Sequence, residues 1–428
     1  MRQFKLMGAA LVAALLVAAC GGGGGDGNQA PAVKFTSLVS FGDSLSDVGT
    51  YDVGVVKQLG GGKWTVNSPT AKNWTELLAT QYGLPAPCAS ETGLPSGSVL
   101  YLTTADDIQD HASCLNYAQG SSRVTNAAGP YSEALWQTVY GATLQGAATQ
   151  NGLTLQVAAT VPTIVAAATA AANAKAHQRY MALPIQSQMA KVASYSGSEL
   201  VTVLAGANDV FMHLNAVSSA AAGGGSAVVA ATIAGWTSRS DWSTLQTTLY
   251  SGGATAASAA QTAAVQGMAT TATELADAIK AQITKGAKHV VVINVPDISI
   301  TPFGLGAEAT TPGTGTLITA MVTTFNSTLA TALNGISGVI IVDAFSDSHN
   351  QHVNPASYAL NNVTTPACDP ASAANPLQGS SLTCTAASTL TGVDTSAYLF
   401  ADTVHPTPYG YKLLAQLVTK SLVIAGWL

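Results

Sequence analysis

Apolar positions along this chain fall into short solitary runs, set between longer stretches of helical spacing. Residues 33–41 form one such run and read as a buried strand that stops at Gly42-Asp43-Ser44. Residues 200–205 form a second, ending at Gly206-Ala207-Asn208-Asp209. The β-branched run 289–295, closed by Pro296-Asp297, and the run 339–342 add two more. Residues 264–284 predict a helix, with Leu275, Ile279 and Ile283 at helical spacing, Lys285 in the last turn and Gly286 as its C-cap. Residues 317–333 and 408–424 predict two further helices. Solitary strands alternating with helices imply parallel βαβ units, with helices on both faces of the sheet. Ligands of such sheets bind beyond the carboxyl ends of the strands. Ser44 and Asn208 each directly follow a predicted strand, so both are expected at that edge.

Four stretches exceed a minimal sheet: 85–118, 131–179, 212–260 and 350–396. They read as insertions on the rim of one domain, 33–428, forming walls or a lid; a separate cap domain is the alternative. Composition narrows the setting. Charged residues are 9% of the chain, far below the usual quarter or so. A polar, weakly charged surface of this kind suits an exported protein. The net charge is −6 and no stretch clusters Lys and Arg, which argues against nucleic acid as a partner, because phosphate binding needs a basic face.

The N-terminus strengthens the case for export. Arg2 and Lys5 precede an apolar run, 6–19, that is shorter than the roughly 20 residues a bilayer span needs. The run ends in Val17-Ala18-Ala19-Cys20, which resembles a bacterial lipobox. That resemblance implies a signal peptide over 1–19 and a lipidated Cys20. The glycine run 21–25 and the rest of 20–32 then form a flexible tether. Gly, not Asp, follows Cys20, which by the same resemblance favours the outer membrane. Four cysteines remain: Cys88, Cys114, Cys368 and Cys384. Export places them in an oxidising compartment, and three pairings are open. Cys88–Cys114 and Cys368–Cys384, the two short loops, are the expected ones. Neither has the C-x-x-C spacing of a zinc or redox site.

The chemistry centres on Ser44. A serine hydroxyl is a poor nucleophile until a base takes its proton, and that base needs a third group to orient it. Asp402-Thr403-Val404-His405 supplies both in one short loop before the last helix. Phe41-Gly42-Asp43-Ser44-Leu45-Ser46-Asp47, Asn116-Tyr117-Ala118-Gln119-Gly120, Gly206-Ala207-Asn208-Asp209 and Asp402-Thr403-Val404-His405-Pro406-Thr407 stand in the order of the conserved blocks of GDSL/SGNH hydrolases. Together with Val295-Pro296-Asp297, Thr301-Pro302 and Phe325-Asn326, they resemble the bacterial lipase/esterase branch of that family. The resemblance implies a flavodoxin-like three-layer α/β/α sandwich with a mostly parallel sheet. It makes Ser44 the nucleophile and His405 and Asp402 its base and orienting acid. Its oxyanion donors are the Ser44 and Gly120 backbone N–H groups and the Asn208 amide. One departure stands out: the family commonly has a second glycine and then alanine where this chain has Ser121-Ser122. Relatives in the autotransporter branch carry a C-terminal β-barrel; here Cys20 is expected to be the anchor instead.

The implied activity is cofactor-free hydrolysis of acyl or lipid esters through an acyl-enzyme. A polyester depolymerase, a carbohydrate acetylesterase and a non-catalytic surface-binding lipoprotein are the alternatives. Asp43 is expected to brace the turn at Ser44, Asp47 to cap the following helix, and Asp209 to be structural. Trp64, Trp74 and Tyr51 suit an acyl pocket or the core equally. His349 and His352 have metal-compatible spacing but no evident third ligand, so no metal is expected. The chain has no G-x-S-x-G and no H-E-x-x-H.

Overall fold

The computed structural model of the protein describes residues 33–94, 106–130 and 181–428. The signal peptide over 1–19, Cys20, the tether, the insertion 131–179 and residues 95–105 of the insertion 85–118 lie outside the described residues.

Four parallel strands build the main sheet. In chain order they are β1 (Ser37–Gly42), β4 (Glu199–Leu204), β5 (Val290–Ile293) and β6 (Val339–Val342), and they lie side by side in that order. Register is fixed by pairs such as Phe41 with Val203 and Val203 with Val292. Residues 115–119 run parallel along the outer edge of β1: Ser40 N–H donates to the Leu115 carbonyl and Tyr117 N–H to the Ser40 carbonyl. This irregular edge occupies the place of a fifth strand. A separate hairpin, β2 (Glu91–Leu94) and β3 (Asp106–Asp110), is antiparallel.

Each strand alternates its apolar residues between two helical layers. Val39, Phe41, Val201, Val203, Val290 and Val292 face one core. That core is covered by α3 (Ile185–Ala190), α4 (Ala207–Ala222), α7 (Gly253–Thr284) and α9 (Thr314–Leu333). Leu38, Leu200, Leu204, Val291, Ile293 and Val342 face the other, covered by α2 (Trp74–Gln81) and α11 (Pro408–Ile424). The result is the three-layer α/β/α sandwich anticipated from sequence. Among the described residues the remaining α-helices are α1 (Gly54–Gln58), α5 (Gly224–Ile233), α6 (Trp242–Ser251), α8 (Pro302–Thr310) and α10 (Ala344–Val353).

Local signals explain the helix ends. At α2, the Asn73 side chain accepts from Thr75 and Glu76 N–H, while Asn73 N–H donates back to Glu76, a reciprocal cap. At α11, Thr407 caps and Pro408 takes the first position, where a missing N–H costs nothing. At α7 the C-cap is Lys285, and Gly286, expected as the cap, is the residue after it, in the left-handed region at φ of +106°.

The stretch 212–260 is helical and packs into the main core. It completes α4, forms α5 and α6, and begins α7, whose 32 residues extend about 48 Å. Ala216, Ala220, Ala227, Ala231, Ala256, Ala260, Ala263 and Ala264 are fully buried between these helices and continue the main core. Small side chains let the helix backbones approach closely. Both expected disulfides, Cys88–Cys114 and Cys368–Cys384, are formed.

Candidate active site

β1 delivers the chain to the carboxyl edge of the sheet. Gly42 is fastened there by Gln188, which accepts from Gly42 N–H at 3.0 Å and donates to its carbonyl at 2.9 Å. The following turn is closed by Ser46 N–H on the Asp43 carbonyl and Leu45 N–H on Asp43 Oδ1, so Asp43 does brace it. Ser44 sits at its apex.

His405 comes from the opposite end of the chain. Residues 400–406 fold back on themselves, with Ala401 N–H on the His405 carbonyl at 2.7 Å, and α11 begins immediately after. This places His405 Nε2 2.8 Å from Ser44 Oγ. The other ring nitrogen, Nδ1, lies 2.9 and 2.8 Å from the two Asp402 oxygens. Asp402 also accepts from the backbone N–H groups of Val404, His405 and Ser381. Burial pushes the Asp402 carboxyl up, but the His405 charge and these hydrogen bonds outweigh it and hold the group well below the usual carboxylate range. A hydroxyl bonded to an imidazole that is oriented by an ionised carboxylate is the arrangement that activates a serine.

Trp64 braces the imidazole from the side, with ring centroids 4.9 Å apart and planes tilted by 33°. Of the three aromatic residues singled out in the sequence, Trp64 lines the site. Trp74 is core, and Tyr51 is buried with its hydroxyl on the Gly120 carbonyl at 2.9 Å.

Asn208 opens α4 and faces the same cavity as Ser44 and His405. Its amide donates once to the Ser122 carbonyl, at 2.8 Å, which leaves its second N–H available. The second block is arranged differently from expectation. Gly120 N–H donates to Asp47 Oδ2 at 3.0 Å, and Gly120 is absent from the cavity lining. A Cβ on Gly120 would lie 2.5 Å from the Trp64 ring, so close packing requires the glycine there. Ser121 lines the cavity instead, in the left-handed region at φ of +70°. Its N–H and that of Ser44 make no hydrogen bond among the described residues. Asp47 does not cap a helix: α1 begins only at Gly54. Its Oδ1 accepts from Gly49 and Thr50 N–H, closing a turn, and its Oδ2 ties that turn to the second block.

The blocks are tied beneath the surface as well. Asp209 accepts from Arg123 Nε at 2.8 Å and from Val124 N–H at 3.1 Å. The Arg123 guanidinium donates further to the Ile233 and Ala234 carbonyls. The cavity, about 160 Å³, is mainly apolar, with Phe211, Ile298, Ile300, Leu399, Leu414 and Leu417 among its walls. His349 pairs with Asp297 at 3.1 Å, and no group of three or more His, Cys, Asp or Glu among the described residues could hold a metal ion.

A parallel α/β sandwich carrying Ser44, His405 and Asp402 in hydrogen-bonded sequence at its carboxyl edge has the form of a serine hydrolase. Residues 38–418 match the family model for GDSL-like lipase/acylhydrolases, and the chain belongs to that family. Membership makes it a hydrolase of ester substrates. No curated relative matches the chain.

Proposed function

We propose that the protein is a serine carboxylic-ester hydrolase acting on acyl or lipid esters through an acyl-enzyme. The observation that carries this reading is the unbroken chain Ser44 Oγ, His405 Nε2, His405 Nδ1, Asp402. Ser44 attacks the ester carbonyl as His405 takes its proton, and Asp402 stabilises the imidazolium. His405 then protonates the departing alcohol. Water attacks the acyl-enzyme by the same route in reverse. The oxyanion is held by the backbone N–H groups of Ser44 and Ser121 and by the free Asn208 amide N–H, all of which border the cavity without another acceptor. The apolar walls favour an acyl chain over an acetylated sugar. The lipobox-like Cys20 supports an exported protein anchored to the outer membrane. Ser44→Ala, assayed on a p-nitrophenyl acyl ester beside fluorophosphonate labelling, tests the reading. Turnover and labelling should both vanish with the thermal midpoint preserved; undiminished turnover would overturn it.

A further inference from the structure

Asp402 receives three backbone N–H groups. Two come from its own turn, Val404 and His405, and follow from local chain geometry. The third comes from Ser381, which donates to Oδ2 at 2.9 Å from 21 positions away. Ser381 is the first residue of a short 3-10 turn, 381–383. First-turn N–H groups have no partner within their own helix, so this one is available to an acceptor outside it. The side chain plays no comparable part, since Ser381 Oγ has no hydrogen-bond partner.

The loop carrying Ser381 is held on both flanks. Cys368 N–H donates to the Ala401 carbonyl at 2.8 Å, next to Asp402 in the chain, and the bridge to Cys384 closes the loop three residues beyond Ser381. Buried Asn67 takes the other side. Its amide donates to the Ser381 carbonyl at 2.8 Å, and its N–H donates to the Cys384 carbonyl at 2.7 Å. The donor therefore reaches the carboxylate on a frame fixed by a covalent bridge and a buried amide.

We infer that Ser381 is a positioning residue of the hydrolase: its backbone N–H, presented by the Cys368–Cys384 loop and Asn67, fixes Asp402 Oδ2 so that the carboxylate faces His405. The inference rests on the triad reading above. A charged acceptor makes this bond stronger than a neutral one, and three donors leave the carboxylate no free rotation. The insertion 350–396 thereby contributes to catalysis through the acid and not only as a wall.

The test replaces the Ser381 amide by an ester, through incorporation of the α-hydroxy analogue of serine, which deletes the N–H and little else. Ser381→Ala, which keeps the N–H, is the control, and Cys368→Ala/Cys384→Ala is the second perturbation. Rates on a p-nitrophenyl ester are measured across pH. The ester protein should lose about tenfold in kcat with KM within about twofold, the size of one hydrogen bond to a charged group. The acid limb of kcat/KM should move to higher pH, because the freed oxygen holds more negative charge toward the imidazolium. Ser381→Ala should match the wild type, and the double cysteine variant should shift in the same direction as the ester. An ester protein with lowered thermal stability but wild-type kcat and pH profile would overturn the inference. Should the ester protein not fold, unchanged kcat and pH profile in the double cysteine variant would overturn it equally. Failure of the triad reading shows separately, as retained turnover in Ser44→Ala.

Discussion

Gly120 N–H lies 3.0 Å from Asp47 Oδ2, so the glycine that the motif points to is committed inside the fold. Its missing Cβ makes room for the Trp64 ring, and Trp64 in turn braces His405. The free donor at the cavity belongs to the next residue, Ser121. Two substitutions separate these roles. Ser121→Gly should keep kcat and leave stability equal or higher, because a left-handed non-glycine residue carries roughly 1–2 kcal/mol of strain, partly offset by the entropy of glycine. Gly120→Ala should lower the thermal midpoint and kcat together as Trp64 is displaced. Steady-state kinetics with thermal unfolding decide it: a Gly120→Ala with wild-type kcat and thermal midpoint would show that the missing Cβ is not what seats Trp64, and an inactive Ser121→Gly would show that the Ser121 side chain is needed beyond its backbone N–H.

The buried pair Arg123–Asp209 joins the second and third blocks, with both side chains 2% exposed. Asn208 is adjacent in the chain, and its amide rests on Ser122. Removing one partner strands a charge in the interior and costs about 3–5 kcal/mol. Asp209→Ala and Arg123→Ala should each lower the unfolding free energy from denaturant titration by that order, with the double variant well short of their sum. Because Asn208 moves with Asp209, kcat should fall more than KM rises. Additive losses in stability would show that the two groups do not act as a pair.

The sequence carried the parts of this fold that rest on short-range pattern. The β-branched and apolar runs that became β1, β4, β5 and β6 were legible because both faces of a parallel sheet are buried, and α7, α9 and α11 because their stripes recur at helical spacing. Ser44, Asn208, Asp402 and His405 could be named because each stands in a compact block. Other features depend on contacts between distant segments. The backbone conformation at Ser121 follows from packing that no local signal encodes. Trp64 was one of three equivalent aromatics until the chain brought it against His405. The alanines of α4 to α7 bury themselves by helix approach, which leaves no strong apolar stripe. Ser381 acts through its backbone, which residue type does not reveal.

Asp43 stands beside Ser44 with Oδ2 buried and unpartnered. Burial pushes its carboxyl up to about 7; Leu45 N–H and the His405 charge pull it down, and Asp209 adds to the rise. In the unfolded chain the group titrates near 3.9. Between these values the native state keeps a proton that the unfolded chain has lost, so stability falls as pH rises through the window and levels off above it. Asparagine does not titrate. Asp43→Asn should therefore gain in thermal midpoint relative to wild type between about pH 4 and pH 7, with a constant difference above that. A difference independent of pH would mean that Asp43 is ionised throughout.

Asp402 has the opposite sign. Burial raises its folded-state carboxyl, but the His405 charge and hydrogen bonds from His405, Ser381 and Val404 outweigh it and hold the group well below the unfolded value. Its contribution to stability is present above the unfolded value of about 3.9 and is lost as pH falls through the folded value. In Asp402→Asn the amide oxygen can serve Val404 and His405 N–H, but its NH2 then faces Ser381 N–H and His405 Nδ1, two groups that donate in the native site. The imidazole would respond by moving its proton to Nε2, where it confronts Ser44 and removes the base. The variant should lose about 10⁴ in kcat with fluorophosphonate labelling slowed in parallel. Its stability deficit against wild type should be greatest near neutral pH and shrink below about pH 4. A kcat within tenfold of wild type would remove Asp402 from the proton-transfer chain, and a deficit that stays constant into acid would show that its charge is not what stabilises the loop.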